Sequence, residues 1–444
     1  MNKRYSMLSI AAVVAVAGIL FASTYSQTQM TATRLSVPSQ DSDLNQQIRD
    51  MGGLQVQMPT AFAQVPLDQV DSMVAQGRHV VDLKLTAQSV DLPIMGGGKY
   101  HAMTFNGQVP APTLRVTQGD IIRMTLTVPT TEFTPHGNDM HASQISAGNF
   151  GAVKPGETKT YAYIAEVPGT FKYHCSGVHV AAMDQHVLSG MYGLTIVDPL
   201  NGYTPFASPK TSAQNGQVSV NYQRYEPDAK EFVLEYNQLY LNADGSYDQT
   251  AMFLHNTTQT VVNGFAFGYV PNADINKLIK GDPTKNIFVA QPWNDASLKQ
   301  YQSHPLFVDT GVHYRIFVEN QGNMPVFFHI VGEILDRVTQ GNRVQAQGTE
   351  TWLIGGSQGA TVDIVFDNPG VYVAVNHDYA AIFSGAATVF VAGDPFNLGY
   401  HPGDMPNPSD AVPPAGKNSI PQKEVVHCLC TDDRAAEIAK EIGG

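Results

Sequence analysis

Two stretches, HGNDMH at 136–141 and EVPGTFKYHCSGVHVAAMDQHVLSGMYGLTIVDP at 166–199, decide how this chain is read. The second has strand-forming Thr, Phe, Tyr and Val on either side of a loop, with Pro-Gly as the turn before it. Inside it, ten residues separate Cys175 from His186 and four separate His186 from Met191. A thiolate, an imidazole and a thioether at that spacing are the soft ligand set of a type 1, or blue, copper site. The remaining imidazole must come from upstream, and His136 is the candidate. Met183 could also be axial, but it precedes His186 on the same loop, so Met191 is preferred.

Successive side chains on a strand point to opposite faces. If Cys175 faces one copper, His174 faces away from it, toward a second metal for which His141 is the obvious partner. A metal that keeps one coordination place open for substrate then needs a third histidine. On the residues alone, His329 and His377 both stand as candidates.

At 444 residues the chain is too long for one ordinary domain. Runs rich in Val, Tyr, Phe and Thr, broken by Pro and Gly every ten or so residues, argue for all-β sandwiches. A polar linker occupies residues 24–76, and order is expected to begin near His79. The first domain spans 77–200, a Pro/Gly/Ser boundary follows at 200–215, and the second domain spans 213–395. Residues 272–305 read as a surface insertion and 396–444 as an extended or disordered tail.

The second half repeats the first. EVPGTFKYHC is answered by DNPGVYVAVNHD, and LSGMYGLTIVDP by FSGAATVFVAGDP. In the repeat Ala386 stands for Met191 and no cysteine precedes Cys428, while His377 lies near the position of the His174-Cys175 pair. The second domain is therefore expected to hold no blue copper and to donate only a histidine.

The formal net charge of −13, with no basic stripe, excludes nucleic acid as a natural partner and suits a basic or mixed-charge redox protein. Three cysteines, two of them in the last twenty residues, exclude a disulfide scaffold. Lys3 and Arg4 before the apolar run Met7 to Ala22 read as a cleaved export signal over residues 1–23, or alternatively as a membrane anchor. Either way the body lies outside the cytoplasm: periplasmic, secreted or on the outer face of the cell membrane.

Over roughly residues 77–395 the chain resembles the copper-containing nitrite reductases, through HGNDMHA, YHC, HVLSGMYG, FHIVGEILD, ETWLIGG and VNHDYAAIFSGA. The resemblance implies two tandem cupredoxin-like Greek-key β-sandwiches, with disordered N-terminal and C-terminal extensions, and two coppers per subunit. It makes His136, Cys175, His186 and Met191 the type 1 ligands and His141, His174 and His377 the type 2 ligands. It further implies a homotrimer in which His377 reaches the copper held by the neighbouring subunit. Asp139 and His329 become the proton-handling residues, as the chemistry requires, since reducing nitrite to nitric oxide consumes one electron and two protons. Glu350 or Thr351 would orient His329, and Val331 would wall the substrate pocket. The implied electron donor is a small cupredoxin or cytochrome c type protein.

Two other functions compete. A two-domain multicopper oxidase needs paired H-x-H motifs and an H-C-H segment. No two of the fourteen histidines stand two apart, and Ser176 follows Cys175. A non-enzymatic blue-copper carrier would leave Asp139, His141, His329 and His377 idle. Outside this pattern, His179 reads as a solvent-facing loop residue. His427, Cys428 and Cys430 read as part of an uninvolved tail, because cysteines one residue apart are poorly placed for a mutual disulfide.

Overall fold

The computed structural model describes residues 65–94, 98–143, 152–177, 180–270, 305–393 and 429–430. The export segment, most of the linker, the insertion at 272–304 and nearly all of the tail lie outside the described residues, as do His179, His304, His401, His427 and Cys428.

The first sandwich comprises β1 (Val80–Pro93), β2 (Lys99–Phe105), β3 (Gln108–Val109), β4 (Leu114–Thr117), β5 (Ile121–Thr127), β6 (Asp139–Met140), β7 (Thr158–Ile164), β8 (Gly169–His174) and β9 (Tyr192–Asp198). Strand β1 shows why these segments are strands: Val81, Leu83, Leu85 and Ala87 are buried at every second position, and Asp82 and Lys84 between them are exposed. One sheet runs β3-β2-β1-β5-β7 and the other β4-β9-β8-β6, with β1 parallel to β5 and β4 parallel to β9.

A ribbon of β10 (Phe206–Gln214) and β11 (Gln217–Tyr225) precedes the second sandwich. That sandwich contains β12 (Lys230–Leu239), β13 (Gln259–Val262), β14 (Leu306–Val308), β15 (His313–Asn320), β16 (Val326–Val331), β17 (Leu335–Gln340), β18 (Arg343–Thr349), β19 (Thr351–Ile354), β20 (Gly359–Val365), β21 (Gly370–Asn376) and β22 (Ala387–Ala392). Its sheets run β13-β12-β15-β20-β17-β18 and β14-β22-β21-β16-β19. The parallel pairs recur, β12 with β15 and β14 with β22. The connection from β8 through the helix Val180–Leu188 to β9 is matched by that from β21 through the helix Tyr379–Ser384 to β22. The architecture is all-β, two tandem cupredoxin-like sandwiches, and the internal sequence echo is a structural repeat.

Each sandwich closes its own core. Leu83, Phe105, Met124, Tyr163 and Tyr173 pack with Cys175 and Met191 in the first, and Leu234, Ile316, Phe328, Val362 and Phe390 pack in the second. A further cluster, with Leu92, Tyr100 and Tyr192 from the first and Leu239, Phe267 and Val375 from the second, joins them. Burial of this apolar surface, at roughly 25 cal/mol per Å², is the main force holding the two together.

Three segments differ from expectation. Leu67–Ala75, within the presumed linker, is a helix that buries Val70 against Ile121 and Ala162. The Pro/Gly/Ser stretch enters the ribbon, because Phe206 stacks on Tyr225 and both bury against Val365. In the tail, the backbone of Leu429–Cys430 pairs with β3. Among the described residues no helix is long and apolar enough to cross a membrane.

Candidate metal centres

The first set of donors forms where β8 ends. Cys175 is fully buried, and its Sγ lies 3.6 Å from His136 Nδ1 and 3.5 Å from His186 Nδ1. The His136 and His186 rings stand 4.8 Å apart. His136 is held by an isolated pairing with Val153, its N–H donating to the Val153 carbonyl at 3.0 Å. His186 occupies the last turn of the helix Val180–Leu188, where a loop was expected. Met191 follows at once: its N–H donates to the His186 carbonyl and its own carbonyl accepts from Cys175 N–H, both at 3.1 Å. Gly177 is obligatory here, since a Cβ at that position would fall inside the backbone of His136.

Burial sets the protonation of this group. It pushes the Cys175 thiol up to about 11, against the pull of the Gly177 and Gly137 N–H groups on the sulfur. Burial also pushes His186 down to about 4, helped by the nearby His136, and lowers His136, with Glu132 opposing. Two imidazoles held neutral and a thiol in an apolar pocket fit a soft metal ion, whose binding would expel the thiol proton.

Glu132 was not singled out from the sequence. Its carboxylate accepts from the Ser89 N–H and hydroxyl at 2.8 and 2.7 Å and lies 3.6 Å from His136 Nε2. It therefore backs the imidazole on the side away from the sulfur, as outer carboxylates do for metal-bound histidines.

The second set opens from the other face of β8. Register pairing places Asp139 opposite His174. His141 Nε2 and His174 Nε2 are 3.1 Å apart, and Asp139 Oδ2 lies 3.5 and 3.6 Å from them. His174 Nδ1–H donates to the Cys175 carbonyl at 2.9 Å, which leaves Nε2 as the free electron pair toward the cluster. Burial, then the charge of Lys172 and the neighbouring His141, push His174 down to about 3. Two convergent imidazoles beside a carboxylate, partly open to solvent, fit a metal with a coordination place to spare.

The third histidine is not brought to this cluster within one chain. Among the described residues, the groups converging on a metal position are His136, Cys175 and His186, and Asp139, His141 and His174. His377 instead stands 5.2 Å from His329, ring to ring, and donates its backbone N–H to Phe327. His329 Nδ1–H donates to the Glu350 main-chain carbonyl at 2.9 Å, with Thr351 Oγ1 at 3.4 Å, so the Glu350 contact is through backbone and not carboxylate. Phe327, His329 and Val331 share one face of β16, and Phe327 and Val331 are exposed, as is Leu353 opposite Phe327 on β19. The residues around this second histidine pair thus form an apolar rim open at the surface.

The structure of the copper nitrite reductase from Nitrosomonas europaea superposes with a TM-score of 0.56 at 31% identity, covering 71% of this chain and 94% of that one. The chain belongs to the copper-containing nitrite reductase family. Within it, the reductase of Alcaligenes xylosoxydans is 29% identical over 70% of this chain and 86% of its own length. That of Neisseria gonorrhoeae is 25% identical over 69% and 67%. The multicopper oxidase family model matches residues 86–202, and a multicopper oxidase structure at 22% identity and a TM-score of 0.51 shares the fold.

Proposed function

We propose that this copper-dependent reductase converts nitrite to nitric oxide and water, taking up one electron and two protons per turnover, in a homotrimer with two coppers per subunit. The observation that carries this reading is the juxtaposition at His174 and Cys175: the last residue of β8 and the one after it, which enter two different donor sets, the second with a carboxylate beside its histidines. Copper bound at both places would supply a one-electron redox change and Lewis acidity toward nitrite.

The protein side follows from the residues. His136, Cys175, His186 and Met191 would hold the type 1 ion, and His141 and His174 the type 2 ion. The bonds between Cys175 and His174 give the short covalent path between the two sets. Asp139, 3.5 Å from His141, holds a proton for the nitrite oxygen that leaves as water. His377 completes the type 2 set of a neighbouring copy, and because His329 stands 5.2 Å from it, the copy that delivers one delivers the other. The apolar rim of Phe327, Val331 and Leu353 is the surface such a neighbour would cover. Val331 would then wall the pocket, and the Glu350 carbonyl would fix the tautomer of His329.

Electrons enter from a small redox protein, for which the acidic chain and the wholly exposed Phe133, three residues before His136, provide the docking chemistry. The Lys3, Arg4 and Met7 to Ala22 pattern supports an extracytoplasmic location, by export or by tether. The test is anaerobic assay of the copper-loaded protein with nitrite and an artificial donor, following nitric oxide directly and counting copper. Two coppers per chain with nitric oxide release is the expected outcome. A single blue copper per chain, without nitric oxide, would make the protein an electron carrier.

A further inference from the structure

The seam between the two sandwiches buries titratable groups that this chemistry does not use. Lys172 lies two residues before His174 on β8, on the same face, and only 3% of it is exposed. Its ammonium donates across the seam to the Gln321 main-chain carbonyl at 2.5 Å and to Ser357 Oγ at 3.3 Å. Gln321 answers in both directions, its amide donating to the Gly193 carbonyl of the first sandwich at 3.1 Å and to Glu235 Oε2 at 2.7 Å. Glu319, two residues before Gln321, is fully buried and, among the described residues, receives a hydrogen bond at neither oxygen. One position earlier on the same face of β8, Thr170 Oγ1 meets Thr361 Oγ1 at 3.0 Å. The main-chain carbonyl of Lys172 also accepts the His141 N–H at 3.1 Å. One residue thus bonds the backbone of His141, shares a strand with His174, and reaches the second sandwich through its side chain.

A buried ammonium is costly to desolvate, and an apolar side chain of similar size would fill this space with less penalty. What a lysine offers instead is direction. Sheet pairing fixes β8 against β6 and β9, but apolar packing between the sandwiches tolerates sliding, whereas an ammonium bonded to one carbonyl does not. The second sandwich carries His329 and His377, so the offset between the sandwiches also sets where a subunit's two half-sites point.

We infer that Lys172 is a positioning residue for the type 2 donors, its ammonium bonded to the second sandwich with Glu235 and Glu319 as the surrounding buried acids. The inference rests on the type 2 assignment proposed above. Cys175 points the opposite way from β8, so the type 1 set is outside the reach of this latch.

The test uses the full-length, copper-loaded protein and electron paramagnetic resonance. Burial raises Glu235 to about 8 and Glu319 well above the usual carboxylate range, and Lys172→Met alone would take away the ammonium that opposes this shift in both acids, so it is combined with Glu235→Gln and Glu319→Gln, which removes all three titratable groups together. In that triple variant the blue absorption should match wild type, while the type 2 hyperfine splitting shifts and type 2 copper affinity falls by about tenfold, as for other residues behind metal ligands. Ser357→Ala, which removes one acceptor at the edge of the seam without stranding a charge, should fold normally and move the type 2 signal in the same direction by less. Type 2 spectra and affinities superimposable on wild type in both variants would overturn the latch while leaving the reductase reading intact. A wild-type protein with no type 2 signal would overturn the metal assignment itself, and the latch with it.

Discussion

At the end of β8, the neighbouring side chains of His174 and Cys175 enter different donor sets, and single substitutions should divide their roles. Cys175→Ala is expected to abolish the blue absorption. Asp139→Ala and His329→Ala should leave that absorption intact and lower turnover with nitrite by about 10² to 10⁴, the usual worth of a positioned acid. Loss of colour in Asp139→Ala, or full turnover without both residues, would count against the assignment. The metal-free protein should also respond to acid in a defined way. His186 is held down to about 4 and His174 to about 3 by burial, against an ordinary histidine value near 6.5. Between those values the unfolded chain binds protons that the folded one refuses, so stability is full above about pH 6.5 and is lost as pH falls through about 4. Denaturant titrations of copper-free protein across that window should show the decline, and copper should remove much of it by occupying the imidazole nitrogens.

At the scale of elements, the segment that carries the proposed type 1 donors is a tight assembly of backbone. Gly177 packs directly on the backbone of His136, so Gly177→Ala must displace one ligand segment or the other. The expected result is loss of the blue band in a protein that retains its far-ultraviolet dichroism. The helix Leu67–Ala75 makes a gentler prediction. Val70 is almost wholly buried against Ile121 and Ala162, and Val70→Ala should lower unfolding free energy by about 1.5 kcal/mol without altering copper content. This helix is announced by Leu67, Val70, Met73 and Val74 at helical spacing, but nine residues at the end of a polar, Gln-rich stretch are too few to form a helix without the tertiary burial of Val70. The His186 turn was hidden because histidine-to-cysteine spacing reads the same whether the intervening residues are loop or helix.

For the whole molecule, the decisive feature is that His377 does not reach His141 and His174 within its own chain. If a neighbour supplies it in the proposed homotrimer, His141→Ala and His377→Ala should each inactivate the protein, yet co-expression of the two should restore activity. With random mixing, about a quarter of the sites pair an intact His141 with a neighbour's intact His377. Restored turnover near that level, measured on co-purified mixed trimers, is expected; none at all would mean that each chain completes its own site.

The convergence of Cys175 and His186 was legible in the sequence because both lie, with Met191, within seventeen residues, and so short a connection leaves the backbone little freedom. Alternation along β8 likewise separated His174 from Cys175, since opposite faces are a local property of any strand. The fold class and the internal repeat followed from the same period-two pattern and its turns. Other features had no such signal. Glu132 and Lys172 are a charged residue in a loop and one in a strand until packing shows what each faces. The separation of His329 and His377 from His141 and His174 depends on how two sandwiches stack, a matter of shape complementarity between distant segments. The ligands were written in order along the chain; which of them meet was decided only when buried surfaces fixed one sandwich against the other.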